Sequence, residues 1–107
     1  MKGRNLGEFE ELVFLAVLGL GAAEATGAAV QERLRTRAKR RASLGAIYAA
    51  LDRGHRKGLI ESWVGEPTGE PGRRRRHYRV TSAGEAALRE SRRARETLWR
   101  AAGEAAS

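Results

Sequence analysis

Two runs of basic residues carry the most legible chemistry in this chain. The first, Arg33-Leu-Arg-Thr-Arg-Ala-Lys-Arg-Arg41, places six cations in nine residues with no acid among them. The second, Arg73-Arg-Arg-Arg-His-Tyr-Arg79, holds five arginines in seven. A single charge run is ordinarily a solvated face. Two unneutralised blocks in a chain of 107 residues instead form a surface suited to a polyanion. The blocks stand out against their surroundings: residues 33–58 sum to +8 and 73–80 to +5, whereas 1–32 and 59–72 each sum to −3 and 81–107 to +1. Arginine outnumbers lysine 18 to 3. That bias suits bidentate contacts to phosphate and guanine, and a GC-rich genome would produce it as well.

Other chemistries find little to work with. Cysteine is absent, which removes disulfides, thiolate metal sites and thiol nucleophiles. His55 and His77 lack metal-ligand spacing and read as surface or phosphate-side residues. The segment Gly65 to Arg76 is glycine-rich and basic but lacks the Gly-Lys-Ser/Thr ending of a phosphate-binding P-loop, and Glu66 and Glu70 read as local charge balance. We therefore expect neither an enzyme nor a cofactor.

The apolar run Leu12 to Leu20 follows Lys2 and Arg4 and precedes Ala22-Ala-Glu-Ala25, an arrangement superficially like a secretory signal. Glu8, Glu10 and Glu11 stand directly before it, where such a signal is positive, and the run is about half the length that spans a bilayer. It reads as a core helix, which makes a cytoplasmic protein with no membrane partner the expectation.

The blocks must be positioned by the elements around them. Residues Gly7 to Leu20 form a first helix, with acids in its first turn where the helix dipole favours them. Its apolar residues Phe9, Leu12, Val13, Leu15, Ala16 and Leu20 cover much of its circumference, which assigns it to the centre of the core. Thr26 caps a second helix reaching about Arg37 and burying Ala29, Val30 and Leu34. After a basic linker, Ser43 caps a third helix from Leu44 to Lys57, with Gly58 at its left-handed end. Leu44, Ile47, Tyr48 and Leu51 fall on one stripe of it. Leu59 to Val64 and His77 to Val80 read as strands joined by a turn-rich tip, a β-hairpin. Thr81 or Ser82 caps a last helix toward Ala106, and Ser82 with Glu85 has capping-box spacing.

Three helices, a hairpin and a long helix, in that order, predict a mainly α winged helix-turn-helix over residues 1–80 and a C-terminal dimerisation helix over 81–107. The basic blocks then fall at the entry to helix three and on the wing, the two places such a fold touches double-stranded DNA. Candidate DNA-contacting residues are Lys39, Arg40 and Arg41 in the linker, Ser43, Gly45, Ala46, Tyr48 and Arg53 on helix three, and Arg73, Arg74, Arg75 and Arg76 on the wing. Ser43 is equally well explained by capping, and Tyr48 by the core. Helix three is poor in side chains that read bases bidentately, so phosphate contacts and DNA shape carry more of the binding. On the last helix Ala87, Leu88, Ala94, Leu98, Trp99, Ala101, Ala102 and Ala105 are candidates for a two-fold interface. A chain this short buries only about two-thirds of its unfolded surface, so such an interface would help it. Trp99 could also stack on a planar effector in a dimer cleft, although packing is the plainer role; Trp63 shares the ambiguity.

Four stretches of the chain resemble the PadR-like transcriptional regulators, across about residues 6 to 90. They are Leu6-Gly-Glu-Phe-Glu-Glu-Leu-Val13, Ser43-Leu-Gly-Ala-Ile-Tyr-Ala-Ala-Leu-Asp-Arg53, Lys57-Gly-Leu-Ile60, and Gly65-Glu-Pro with Arg76-His-Tyr-Arg-Val-Thr81 and Gly84. The resemblance implies a homodimeric repressor on a palindromic operator, dimerising through the C-terminal helix and touching DNA through helix three and the wing. The single C-terminal helix is similar to that of a compact subgroup, some members of which bind aromatic or drug-like molecules at the dimer interface. Two positions depart from the family pattern. Thr26 precedes Gly27 where a tyrosine is usual, and Gly54 follows Asp52-Arg53 where a leucine is expected. A glycine inside a helix costs about 1 kcal/mol relative to alanine and here also omits a core side chain. Two rival functions remain from sequence: an architectural DNA-binding protein of low specificity, and a basic protein-interaction or RNA-associated domain. The second is disfavoured because no aromatic stacking platform is apparent.

Overall fold

The computed structural model describes residues 6–65 and 75–106. Within them the chain runs α1 (Glu8–Leu20), α2 (Gly27–Arg37), α3 (Leu44–Arg56), β1 (Ile60–Val64), β2 (Arg76–Val80) and α4 (Ser82–Ala106). This is the element order expected of a winged helix-turn-helix. Capping chemistry sets most of the boundaries. Thr26 Oγ1 accepts from the Ala29 amide at 3.2 Å and Ser43 Oγ from the Ala46 amide at 3.0 Å, each satisfying one orphan donor of a first turn. Gly58 turns the chain out of α3 with φ 78°, a conformation that costs a side-chain-bearing residue. Of the two candidate caps for α4, Thr81 does the work: its hydroxyl accepts from the Gly84 amide at 3.0 Å and donates to the Gly58 carbonyl at 2.8 Å.

The strands pair antiparallel, Ile60 opposite Val80 and Val64 opposite Arg76. Alternation along β2 places Arg76, Tyr78 and Val80 on one face, with Tyr78 and Val80 buried and Arg76 exposed beyond them, and His77 and Arg79 on the other. A bridge between Thr26 and His77 and a 3.0 Å hydrogen bond from the Tyr78 amide to the Ala25 carbonyl stitch the wing to the entry of α2.

Val13, Phe14 and Val17 of α1, Val30 and Leu34 of α2, and Ile47 and Leu51 of α3 form the core with Leu59 and Ile60. Three sequence expectations are corrected here. Helix α1 is not covered all round: Val13, Phe14 and Val17 are its deepest residues, whereas Leu15 and Leu18 face outward. On α3 the buried stripe is Ile47, Ala50, Leu51 and Gly54, and both Leu44 and Tyr48 are exposed. The small residues Ala50 and Gly54 face inward because other elements come close to them. A β-carbon on Gly54 would lie 2.5 Å from Phe14 Cζ and 2.8 Å from Ile60 Cγ1, so neighbouring side chains fill the space that the absent leucine leaves. Helix α3 continues through Gly54 to Arg56. Finally, Ala87 and Leu88 are buried in the chain's own core, which extends into the first two turns of α4.

Two acids of the first turn of α1 are buried rather than merely placed on the dipole. Glu10 accepts from the Gly7 amide at 3.1 Å and meets Arg53 at 3.2 Å and Lys57 at 3.3 Å, tying the start of α1 to the end of α3. Glu11 pairs with Arg95 of α4 at 2.6 Å. Burial pushes the Glu10 carboxyl upward, but the Gly7 amide and the Lys57 and Arg53 cations together hold it below its ordinary value.

Two outcomes are expected. Gly54→Ala, which would favour an exposed helix, should instead lower stability by about 1–3 kcal/mol because the added methyl overpacks against Phe14 and Ile60, read as a lower urea midpoint. Glu10→Gln should cost about 1–2 kcal/mol at pH 7. Because the folded-state pKa of Glu10 is depressed, its stabilisation is present above the unfolded value, roughly pH 4.3. It is lost as the pH falls through the depressed folded-state value, so urea midpoints of the variant and wild type should converge as the pH is taken down from about 4.

Candidate nucleic-acid interface

The outer face of α3 presents Ser43, Leu44, Gly45, Ala46, Tyr48 and Ala49 to solvent, while Ile47, Ala50 and Leu51 hold the opposite face in the core. The exposed set is small and short apart from Leu44 and Tyr48. Tyr48 leans on the first residue of α2: a β-carbon on Gly27 would lie 2.5 Å from its ring and 2.6 Å from its hydroxyl. Glycine at 27 is thus required for the ring of Tyr48 to sit there.

The basic residues divide by what already holds them. In the turn before α3, Lys39 takes a left-handed backbone conformation, φ 53°, unusual for a residue with a β-carbon. Its ammonium donates to the Thr36 carbonyl at 3.3 Å. Arg40 reaches Glu8 at 3.3 Å and lies 5.5 Å over the Phe9 ring. Arg41 is exposed and, among the described residues, has no acidic partner; the same holds for Arg37 at the end of α2. Arg53, expected on a DNA phosphate, directs its guanidinium to Glu10 at the far end of α3 from Ser43.

On the wing, Arg79 pairs across the strands with Glu61 and lies 5.9 Å over Trp63, which in turn stacks on His77 at 5.8 Å. Arg76 donates to Ser62 Oγ at 3.1 Å, and Arg75 is exposed without a partner among the described residues. Arg73 and Arg74 lie outside the described residues. His55 Nδ1 is 3.2 Å from the Ile60 carbonyl, and its ring stays at the surface.

Candidate interface residues of α4 fall into two groups. Ala87 and Leu88 are in the core, where they anchor the helix to its own chain, so they are not available to a partner. Ala94, Leu98, Trp99, Ala101, Ala102 and Ala105 are exposed. Leu98 is 70% and Trp99 78% accessible, large apolar side chains with nothing of their own chain upon them.

Sequence reasoning missed two features. One is a groove of about 460 Å³ between α1 and α4, walled by Leu15, Leu18 and Leu88 and rimmed by Arg89, Arg92 and Glu96. The other is a pocket of about 610 Å³ where α2, α3 and the wing meet, lined by Gly27, Tyr48, Arg76 and Tyr78 among others. Strand alternation through Arg76-His-Tyr-Arg-Val80 turns Tyr78 toward the body of the domain and was the available signal for the second.

A profile of the family described as "Transcriptional regulator PadR-like family" matches residues 14–90. No curated protein matches the sequence significantly. Among solved structures, the chain is similar to a PadR family transcription regulator from Clostridium difficile R20291, with TM-score 0.74 and 20% identity over 92% of this chain and 99% of that one. It is likewise similar to a PadR-like transcriptional regulator from Bacillus cereus, with TM-score 0.73 and 19% identity over 92% and 91% of the two chains. A third, Bacillus subtilis PadR in complex with operator DNA, aligns at TM-score 0.62 and 17% identity over 75% of this chain and 44% of that one. At these identities the structural likenesses establish a common fold.

Proposed function

We propose that this chain, which belongs to the PadR-like family of transcriptional regulators, is a sequence-specific DNA-binding regulator: a homodimeric repressor that occupies a palindromic operator and leaves it when an effector binds. One observation carries the reading. The face of α3 turned away from the core is exposed, and two cations with no acidic partner among the described residues flank it, Arg41 before it and Arg75 on the wing. A helix presented in this way enters a major groove while the flanking arginines hold the phosphates on either side. Lys39, Arg40, Ser43, Gly45, Ala46, Tyr48 and Arg76 border the same surface, and Arg73 and Arg74 extend it in sequence. One solved relative of the same fold is a complex with operator DNA.

Exposed apolar surface supports the dimer. Leu98 and Trp99 on one side, and Leu15 and Leu18 along the α1–α4 groove on the other, are apolar surfaces that water should not keep. A two-fold axis between the distal halves of two α4 helices would cover both and bring Ala94, Ala101, Ala102 and Ala105 into close approach. Trp99 with Leu98, Arg95 and Ala102 also borders a concavity of about 320 Å³, where a small aromatic effector would stack. Binding there would alter the separation of the two recognition helices.

The composition of the exposed α3 face favours one alternative. It contains no Asn, Gln or Arg up to Tyr48, and those are the residues that read adenine and guanine bidentately. An architectural protein of low specificity would look the same.

Titration of the upstream promoter fragment against scrambled DNA at two salt concentrations separates the readings. The operator reading expects a preference of about a thousandfold or more and a footprint with half-sites about one helical turn apart. Equal, steeply salt-dependent affinity for both duplexes would leave the architectural function. Sedimentation should give twice the chain mass for wild type. Leu98→Asp should sediment as a monomer and lose about a hundredfold in operator affinity as bivalency is lost; a monomeric wild type would refute the dimer.

A further inference from the structure

The pocket between α2, α3 and the wing is lined by donors. Tyr78 is only 6% exposed, yet among the described residues its hydroxyl has no hydrogen-bond partner. The hydroxyl oxygen is not sealed off in the core but opens on the pocket, where an acceptor from outside the chain can reach it. At the first turn of α2 the Thr26 side chain takes the Ala29 amide. The Gly27 amide faces the Arg76 carbonyl across the Thr26–His77 bridge, and the Ala28 amide stays without an acceptor among the described residues, at the positive end of the helix dipole. The Tyr48 hydroxyl rests against Gly27. Arg76 uses one terminal nitrogen on Ser62, and Arg75 completes the rim.

Among the described residues no carboxylate lines this space. The acid that acts on Tyr78 from a distance, Asp52, is held by Arg56. Burial first, then the neighbouring Tyr48, hold the Tyr78 hydroxyl above the usual phenol range against the opposing effect of Arg76, so at neutral pH it is a proton donor.

We propose that this pocket takes one backbone phosphate of bound DNA, with the Tyr78 hydroxyl, the Ala28 amide and Arg76 as its donors and Tyr48 as its wall toward α3. The proposal rests on the DNA-binding reading above and adds a specific anchor to it. Several donors converge on one opening, which matches a tetrahedral anion with acceptor oxygens in several directions. The opening lies between α3 and the wing, the two elements that straddle a groove. A phosphate seated there would fix the angle at which α3 enters, positioning the helix without reading a base.

The test is Tyr78→Phe in the full chain, which keeps the buried ring and should leave thermal stability equal or higher. Its affinity for the promoter duplex should fall about tenfold, equally on promoter and scrambled DNA, and the slope of log affinity against log salt should be unchanged because no charge is removed. Arg76→Gln should reduce that slope by about one. Replacing backbone phosphates singly by uncharged methylphosphonates should reveal one position that weakens wild type clearly more than it weakens Tyr78→Phe, whose Arg76 contact to that phosphate remains. Wild-type affinity in Tyr78→Phe, or equal sensitivity of both proteins at every methylphosphonate position, would overturn the anchor while DNA binding stands. A wild type that binds neither duplex would overturn the DNA reading itself. If millimolar inorganic phosphate raises the melting temperature of wild type but not of Tyr78→Phe, with promoter affinity equal in both, the pocket serves a free anion and the backbone-phosphate proposal falls.

Discussion

The packing of Phe14 against Gly54 is the constraint on which the rest of the domain depends. The Phe14 ring occupies the space that a side chain at 54 would need, and Ile60 closes on it from β1. One contact thereby sets the distance between α1 and α3 and the point where the wing leaves the body. The chain reinforces it locally: the Leu59 amide donates to the Gly54 carbonyl at 2.8 Å, and Gly58 supplies the left-handed turn between them. The volume beside Gly54 is filled by the side chains of Phe14 and Ile60. Protein interiors conserve volume more strictly than they conserve the residue that fills it.

A second set of contacts relates the wing to the helix-turn-helix. Pairing of Thr26 with His77 and the hydrogen bond from Tyr78 to Ala25 attach β2 to the start of α2, and Tyr48 of α3 rests on Gly27 at the same place. The exposed face of α3 and the base of the wing are therefore registered through one small junction. The hairpin is short, five residues in each strand, and a two-stranded ribbon of that size has little stability alone; the junction and the core residues Ile60, Tyr78 and Val80 supply the rest.

The element order, the caps Thr26 and Ser43, the left-handed Gly58 and the hairpin were legible because each rests on local chemistry: a side chain satisfying its neighbour's amide, or a backbone angle that only glycine adopts cheaply. What escaped was set by tertiary approach. The stripe read from Leu44, Ile47, Tyr48 and Leu51 gave weight to large residues, whereas the inward face is Ile47, Ala50, Leu51 and Gly54. Small residues signal a close neighbour only once the neighbour is known. Likewise Glu10 and Glu11 suit the dipole of α1 in sequence, and their partners Arg53, Lys57 and Arg95 lie more than forty residues away. Of the candidate interface, the linker and wing positions were legible from charge alone. The pocket around Tyr78 was not, because its parts come from three separated segments.

The hydroxyl of Thr81 begins α4 and at the same time holds the carbonyl of Gly58, while the Thr81 amide donates to Leu59. Helix α4 is thus fastened to the turn that ends α3. From Ala83 to Trp99 it extends roughly 25 Å at 1.5 Å per residue, crossing the Glu11–Arg95 ion pair on the way. Mechanically this is a rod clamped at one end, braced partway along, and loaded at its tip. A small sideways displacement near Trp99 becomes a torque at the clamp, delivered to the rear of α3. A load at the tip is therefore borne at the turn between α3 and β1, where the base of α4 is held.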